Sequence, residues 1–182
     1  SVEEKATGEI SAGAGLGTNG GLLAFNLVEN NYLGQGNRVG FDFALSDKSL
    51  KGTLNYTNPN YDFLGNSINY YVSSGTNDKA DQGWENSLAS AGLGTSFEQF
   101  KDVNASLGLA LSYDDLRTTS GASESLKKQS GTYTEFSGNY GFSYDKRDRK
   151  FMPTDGYITS FKQSIPIAAD RAFISNYLAG ST

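Results

Sequence analysis

The chain has 182 residues, 37 % of them hydrophobic and 19 % charged, with a formal net charge of −5. That length suffices for one domain with a core of its own, and an acidic balance without a basic tract excludes nucleic acid as the main partner. Cysteine and histidine are both absent, which excludes disulfides, Cys/His zinc sites, cysteine nucleophiles and histidine-based triads. A carboxylate-only or Ser-Lys enzyme stays open, but no spacing proposes one, and no enzyme, metal or cofactor is expected.

No stretch reaches the roughly 18–20 apolar residues that a membrane helix needs. The other structure able to span a bilayer is a closed β-barrel, whose signal is alternation of apolar and polar residues. Alternation runs from end to end.

The first strand contains "ATGEISAGAGLG" (6–17), followed by "TNGG", in which Asn19-Gly20 predicts the centre of a tight hairpin. The second strand places Leu23, Phe25 and Leu27 at alternate positions before "NNYLGQGN". In the third, Val39, Phe41, Phe43 and Leu45 oppose Arg38, Gly40, Asp42, Ala44 and Ser46, and "SDKS" follows. The fourth carries Leu50, Leu54 and Tyr56 on one side and ends at "TNPNYDFLGN". Beyond the fifth strand, "NDKADQGWE" and "EQFKD" bracket the sixth. "VNASLGLALSYDD" sets Val103, Ala105, Leu107, Leu109, Leu111 and Tyr113 against Asn104, Ser106, Gly108, Ala110 and Ser112.

A long polar connection over 114–131 leads to Phe136, Tyr140, Phe142 and Tyr144, which alternate with Ser137, Asn139, Gly141 and Ser143. "DKRDRKFMPTDG" and "IAADRA" separate the eighth, ninth and tenth strands, the tenth running to the end of the sequence. Pro59, Pro153 and Pro166 are read as lying in or beside these breaks, where no ladder donor is lost.

Strands of ten or more residues exceed the mean of about five or six in soluble sheets and suit a tilted membrane crossing of about 9–11. The connections alternate as well. Even-numbered ones hold or adjoin Tyr32, Tyr61, Phe63, Phe97, Phe100, Tyr144, Phe151 and Tyr157, an aromatic rim, and Trp84, Tyr113 and Tyr133 are expected to mark the opposite rim.

The apolar faces are free of charge through their middles, as lipid contact requires. The other faces are small and polar, with Arg38, Asp42, Lys51, Glu135 and Lys162 scattered along them, which suits an aqueous lumen. A soluble sandwich would also alternate, though its wet face would carry more Lys, Glu and Thr.

Gly15, Gly17 and Gly20 match G-x-G-x-x-G, with Asp42 downstream. A dinucleotide loop must follow a buried parallel strand and open a helix. Here an alternating strand with Glu9 at its middle precedes the glycines and another alternating strand follows, so the match is coincidental. Gly13, Gly15 and Gly17 instead strip the lumen face of strand one, with Ala12, Ala14 and Leu16 outside. Two readings stand: the glycines relieve crowding inside a curved sheet, which residue physics favours, or they make strand one a pliable edge.

"VEEKATGEISAGAGLGTNGG", "ENNYLGQGNRVGFDF", "YTNPNYDFLGNSINYY" and "NYGFSYDKRDRKFMPTDGY", in that order, resemble the barrel of the bacterial surface antigen (D15) family of outer-membrane assembly factors. Asn31, Leu33, Gly34 and Gly36 look like that family's first periplasmic turn, and Asp148, Pro153 and Gly156 like its fourth. The resemblance implies an all-β, up-and-down antiparallel transmembrane barrel of sixteen strands, of which residues 6–182 supply about nine to ten. Residues 1–5 would be the exit from a preceding periplasmic POTRA domain.

It further implies location in the bacterial outer membrane and insertion of unfolded β-barrel precursors there, with outer-membrane lipids as surroundings. Accessory lipoproteins would act mainly through POTRA domains absent from this sequence. The seam strand would comprise Gly8, Ile10, Ala12, Gly13, Ala14, Gly15 and Gly17, adding a precursor strand by β-augmentation. A TamA-type relative, a two-partner-secretion transporter or a passive outer-membrane pore are the alternatives.

Overall fold

A computed structural model describes residues 6–17, 20–149 and 152–181. The expectations for residues 1–5, for Asn19 and for Phe151 lie outside the described residues. The chain forms β1 (Gly8–Gly17), β2 (Gly20–Tyr32), β3 (Asn37–Ser46), β4 (Ser49–Asn58), β5 (Ser67–Lys79), β6 (Trp84–Phe100), β7 (Val103–Thr118), β8 (Gly131–Asp145), β9 (Ile158–Ala169) and β10 (Ser175–Ser181). All ten make one sheet in sequence order, each antiparallel to the next. Among the described residues β1 pairs only with β2 and β10 only with β9, so the sheet is open.

The register turns the alternation of single strands into continuous surfaces. One cross-strand row reads Ile10, Leu27, Phe41, Leu54, Val72, Ala91, Leu111, Phe136 and Ala168, and every member is apolar. The neighbouring row on the other face reads Ser11, Asn26, Asp42, Thr53, Ser73, Ser90, Ser112 and Glu135. A slip of one residue in any strand would mix the rows. Among the described residues no second layer covers the apolar face: Leu54, Val72 and Leu111 keep 51 %, 58 % and 50 % of their surface. The buried apolar residues among those described are Ala105 and Ala122. An unburied apolar sheet of this extent is a surface for hydrocarbon, and the sandwich alternative fails for want of a second layer.

The polar face holds itself together by hydroxyl pairs across strands, Ser67 to Ser96 at 2.6 Å, Ser73 to Ser90 at 2.7 Å and Ser143 to Ser160 at 3.2 Å. On the apolar face one polar chain stands out: the Tyr140 hydroxyl donates to Gln163 Oε1 (2.7 Å), and Gln163 Nε2 donates to Asn176 Oδ1 (2.5 Å). These groups satisfy one another, as groups facing lipid must.

Several expectations need correction. The register of β1 and β2 ends at Gly17 opposite Gly20, so Gly20 belongs to β2 and not to the turn. The connection read as starting at residue 114 starts later, because β7 continues to Thr118, with Asp115 opposite Ser87 and Arg117 opposite Glu85. Polar residues continue a ladder well where both faces are wet. The remainder holds one helical turn, Glu124–Lys127, capped by the Ser123 side chain.

Pro166 lies inside β9, opposite Ser137. It sits where the register shifts between Phe136 and Ser137, and a bulge is where a strand tolerates proline. Trp84 and Tyr133 share the parity of the polar face, Tyr133 opposite Asp114 and Trp84 opposite Thr118, so of the three aromatics expected on that rim only Tyr113 faces outward. The Tyr133 hydroxyl donates to the Gln129 carbonyl, and the Arg171 guanidinium lies 3.7 Å from its ring centre. On the other rim the outward aromatics do cluster, Tyr56 with Tyr70 at 6.1 Å and Tyr144 with Tyr157 at 5.8 Å.

Candidate functional site: the edge strand

β1 is joined to its one neighbour by an unbroken register from Gly8 opposite Glu29 to Gly17 opposite Gly20. Ile10, Ala12, Ala14 and Leu16 continue the apolar face, opposite Leu27, Phe25, Leu23 and Gly21; Ile10 and Leu16 remain 71 % and 93 % exposed. Gly13 and Gly15 continue the polar face, opposite Ala24 and Leu22.

The space around the stripe bears on the two readings of its glycines. A Cβ built on Gly13 or on Gly15 would meet nothing within 4 Å. Crowding among the described residues therefore does not explain Gly13 and Gly15. It does explain others: a Cβ on Gly92 would run into the Tyr71 ring, and one on Gly108 would lie 3.0 Å from the Leu93 carbonyl oxygen. What Gly13 and Gly15 contribute to β1 is the lack of a side chain to pack and a larger backbone entropy to lose on ordering. Gly8 differs again, since a Cβ there would lie 2.9 Å from a Glu29 carboxylate oxygen.

Among the described residues no side-chain hydrogen bond joins β1 to β2. Side-chain ties lie instead at the two ends of β2, one reaching the residue before β1 and the other the β3–β4 turn. Asn30 donates to the Thr7 carbonyl from both its backbone (3.1 Å) and its side chain (3.0 Å). At the hairpin end the Gly21 amide donates to the Asp47 carboxylate of the β3–β4 turn, 3.4 Å away. Neither clasp was foreseen, because neither follows from spacing along the chain.

Beside the stripe, Gly13, Ala24 and Ala44 floor a shallow hollow bordered by Asn26, Asp42, Lys51 and Thr53. Asn26 Nδ2 donates to Asp42 Oδ1 at 2.6 Å. Among the described residues no group of three or more His, Cys, Asp or Glu side chains is placed to hold a metal ion.

The turn residues singled out in the sequence lie on the far rim from the β1–β2 hairpin and do not join the edge strand in one site. Asn31 organises the first: its Oδ1 accepts from the Gly36 amide (2.7 Å) and its carbonyl from the Gly34 amide (2.9 Å), with Leu33, Gly34 and Gly36 at φ of 54°, 73° and 71°. Asp148 organises the other, accepting from Thr154 Oγ1 (2.7 Å), the Thr154 amide (2.9 Å) and the Asp155 amide (3.2 Å). Pro153 precedes this cap. Gly156, at φ 97°, crosses so close to Arg147 that a Cβ would lie 2.8 Å from its Cα.

The Thr154 hydroxyl, then the Thr154 and Asp155 amides, hold the Asp148 carboxyl below its usual value. Because the folded pKa is the lower one, the stabilisation is complete above the unfolded pKa of about 4 and is lost as pH falls through the folded value. Protection of the Thr154 and Asp155 amides from exchange, taken relative to their intrinsic rates, should therefore fall below about pH 4. Asp148→Asn should raise the exchange at neutral pH and flatten that pH dependence.

Comparison with known proteins agrees with the open antiparallel sheet. The chain is similar in fold to the crystal structure of BamA from Haemophilus ducreyi lacking POTRA domains 1-3, at a TM-score of 0.70 and 21 % identity. The match covers 92 % of this chain and 36 % of that one, so this chain spans about a third of its length. The Omp85 superfamily domain matches residues 31–176, which leaves β1 and most of β2 outside the matched region. With that match over most of its length, and with one apolar and one polar sheet face, the chain belongs to the Omp85 superfamily and to the bacterial outer membrane.

Proposed function

We propose that this chain forms part of a protein that inserts β-barrel precursors into the outer membrane, with β1 as the edge on which an incoming strand adds. The observation that supports this is the open space around Gly13 and Gly15, where glycine loosens a strand without being required by packing. An edge strand carries a row of unpaired backbone N–H and C=O groups. In hydrocarbon each such group costs several kcal/mol until it is bonded. A precursor strand that pairs along β1 removes that cost for both partners, and since backbone pairing reads strand shape, precursors of many sequences qualify.

Neither a nucleophile nor a cofactor enters this scheme, so the role is non-enzymatic. The partners are unfolded barrel precursors and outer-membrane lipids, together with accessory lipoproteins that bind elsewhere in the longer protein.

Cysteines placed one at a time at Ile10 and Ala14 in the full-length protein test the edge. Each should crosslink to a stalled precursor carrying a cysteine in its terminal strand, while a cysteine at Val72, in the middle of the sheet, should not. Crosslinks at Val72 alone, or at all three positions equally, would remove β1 from the role.

A further inference from the structure

The β4–β5 turn, residues 59–66, folds against the apolar face of the sheet instead of projecting straight off the rim. Tyr61 lines one hollow together with Ile68, Leu93, Leu107 and Ile165, and all four of those residues lie in the apolar rows. Within the turn the polar groups are turned on one another. The Gly65 amide donates to Asn60 Oδ1 (2.8 Å), the Leu64 amide to Asp62 Oδ1 (3.1 Å) and the Tyr61 amide to the Asn66 carbonyl (3.0 Å), and the Asn66 side chain donates to the second Asp62 oxygen.

This bracing holds Phe63 at φ 62°, a left-handed conformation that a bulky residue adopts only when its surroundings impose it. The result is a projecting pair, Phe63 at 91 % and Leu64 at 83 % exposure, that touches little of its own protein. Leu33 and Met152 repeat the pattern on two other turns of this rim, each at positive φ and largely exposed.

We propose that the β4–β5 turn is an interfacial anchor whose Phe63 and Leu64 enter the phospholipid leaflet at this rim, with Asn60 and Asp62 held at headgroup depth. Two features favour lipid over a protein partner. The turn is continuous, through Tyr61, with the face that meets hydrocarbon, and directly above it the outward Tyr56–Tyr70 pair marks the interface where aromatic rings settle. The Tyr61, Leu64 and Gly65 amides are also bonded within the turn, which lowers the cost of moving them out of water. The anchor rests on the outer face meeting lipid and not on the role proposed for β1, so either fails without the other.

Phe63→Trp and Leu64→Trp, made separately in the full-length protein and reconstituted in phosphatidylcholine–phosphatidylethanolamine vesicles, report the depth directly. Relative to the unsubstituted protein, the added emission should be shifted to the blue. It should be quenched more by phosphatidylcholine spin-labelled near the glycerol than by lipid labelled near the chain end, and little by aqueous acrylamide. Strong acrylamide quenching would place the turn in water and overturn the anchor. Protection from acrylamide and from both spin-labelled lipids would mean that protein covers the turn, which overturns it equally.

Discussion

Leu111→Arg should destabilise the folded protein in a bilayer by about 2–4 kcal/mol, the cost of a lipid-facing arginine near the midplane. Leu111 lies near the centre of β7, between Ala91 and Phe136 in the all-apolar row, with half of its surface open. Ser112, one residue further along, belongs to the polar row beside Ser90 and Glu135, where an arginine stays hydrated and gains a carboxylate neighbour. Ser112→Arg should therefore change stability by within about 0.5 kcal/mol. Denaturant unfolding of the full-length protein in vesicles, followed by heat-modifiable gel mobility, measures both. The adjacent pair isolates sidedness because backbone position and depth are almost shared. Equal and small effects would mean that the apolar face does not meet hydrocarbon, and equal and large effects that the polar face is packed against something dry.

That sidedness was legible in the sequence because alternation is a local property: Leu107, Leu109 and Leu111 announce a face without any knowledge of their neighbours. What needed the register was less legible. Trp84 and Tyr133 were placed on the lipid rim by residue type, but the pairing of Tyr133 with Asp114 puts it on the inner face, beneath Arg171. The polar end of β7 reads as loop in the sequence because Asp114, Asp115 and Arg117 do not alternate in hydropathy, and a ladder exposed to water on both sides has no need to. Pro166 was expected at a break and instead marks a bulge inside β9, which appears only once Ser137 and Phe136 are seen to skip a partner.

The glycines show the same limit most sharply. Gly13 and Gly92 look equivalent in the sequence, each alternating with apolar residues in a long strand, yet a side chain at Gly92 meets a tyrosine ring and one at Gly13 meets nothing. The proposal for the edge strand rests on that difference, which composition does not show. The turn that carries Phe63 was read only as part of an aromatic rim, since its hydrogen-bonded bracing depends on how Asn60 and Asp62 fold back.

Replacing both Gly13 and Gly15 by alanine should slow precursor insertion by the full-length protein by roughly 5- to 30-fold while leaving it folded. Each exchange removes backbone freedom worth about 0.5–1 kcal/mol from the unpaired form of β1. Neither introduces a clash among the described residues, so the combined gain in β1 pairing is about 1–2 kcal/mol. If release of β1 limits insertion, a barrier raised by about 1.4 kcal/mol slows the reaction tenfold. Amide exchange in β1 and β2 provides the necessary second readout, and it should slow in parallel with insertion. Gly108→Ala is the contrasting change: its Cβ would press on the Leu93 carbonyl at 3.0 Å, so it should weaken the sheet without tightening the edge. Slower exchange with an unchanged insertion rate would show that β1 can be stiffened without consequence, and that the incoming strand adds elsewhere. Unchanged exchange would instead locate the looseness of β1 in its missing side-chain ties to β2 and not in its two unhindered glycines.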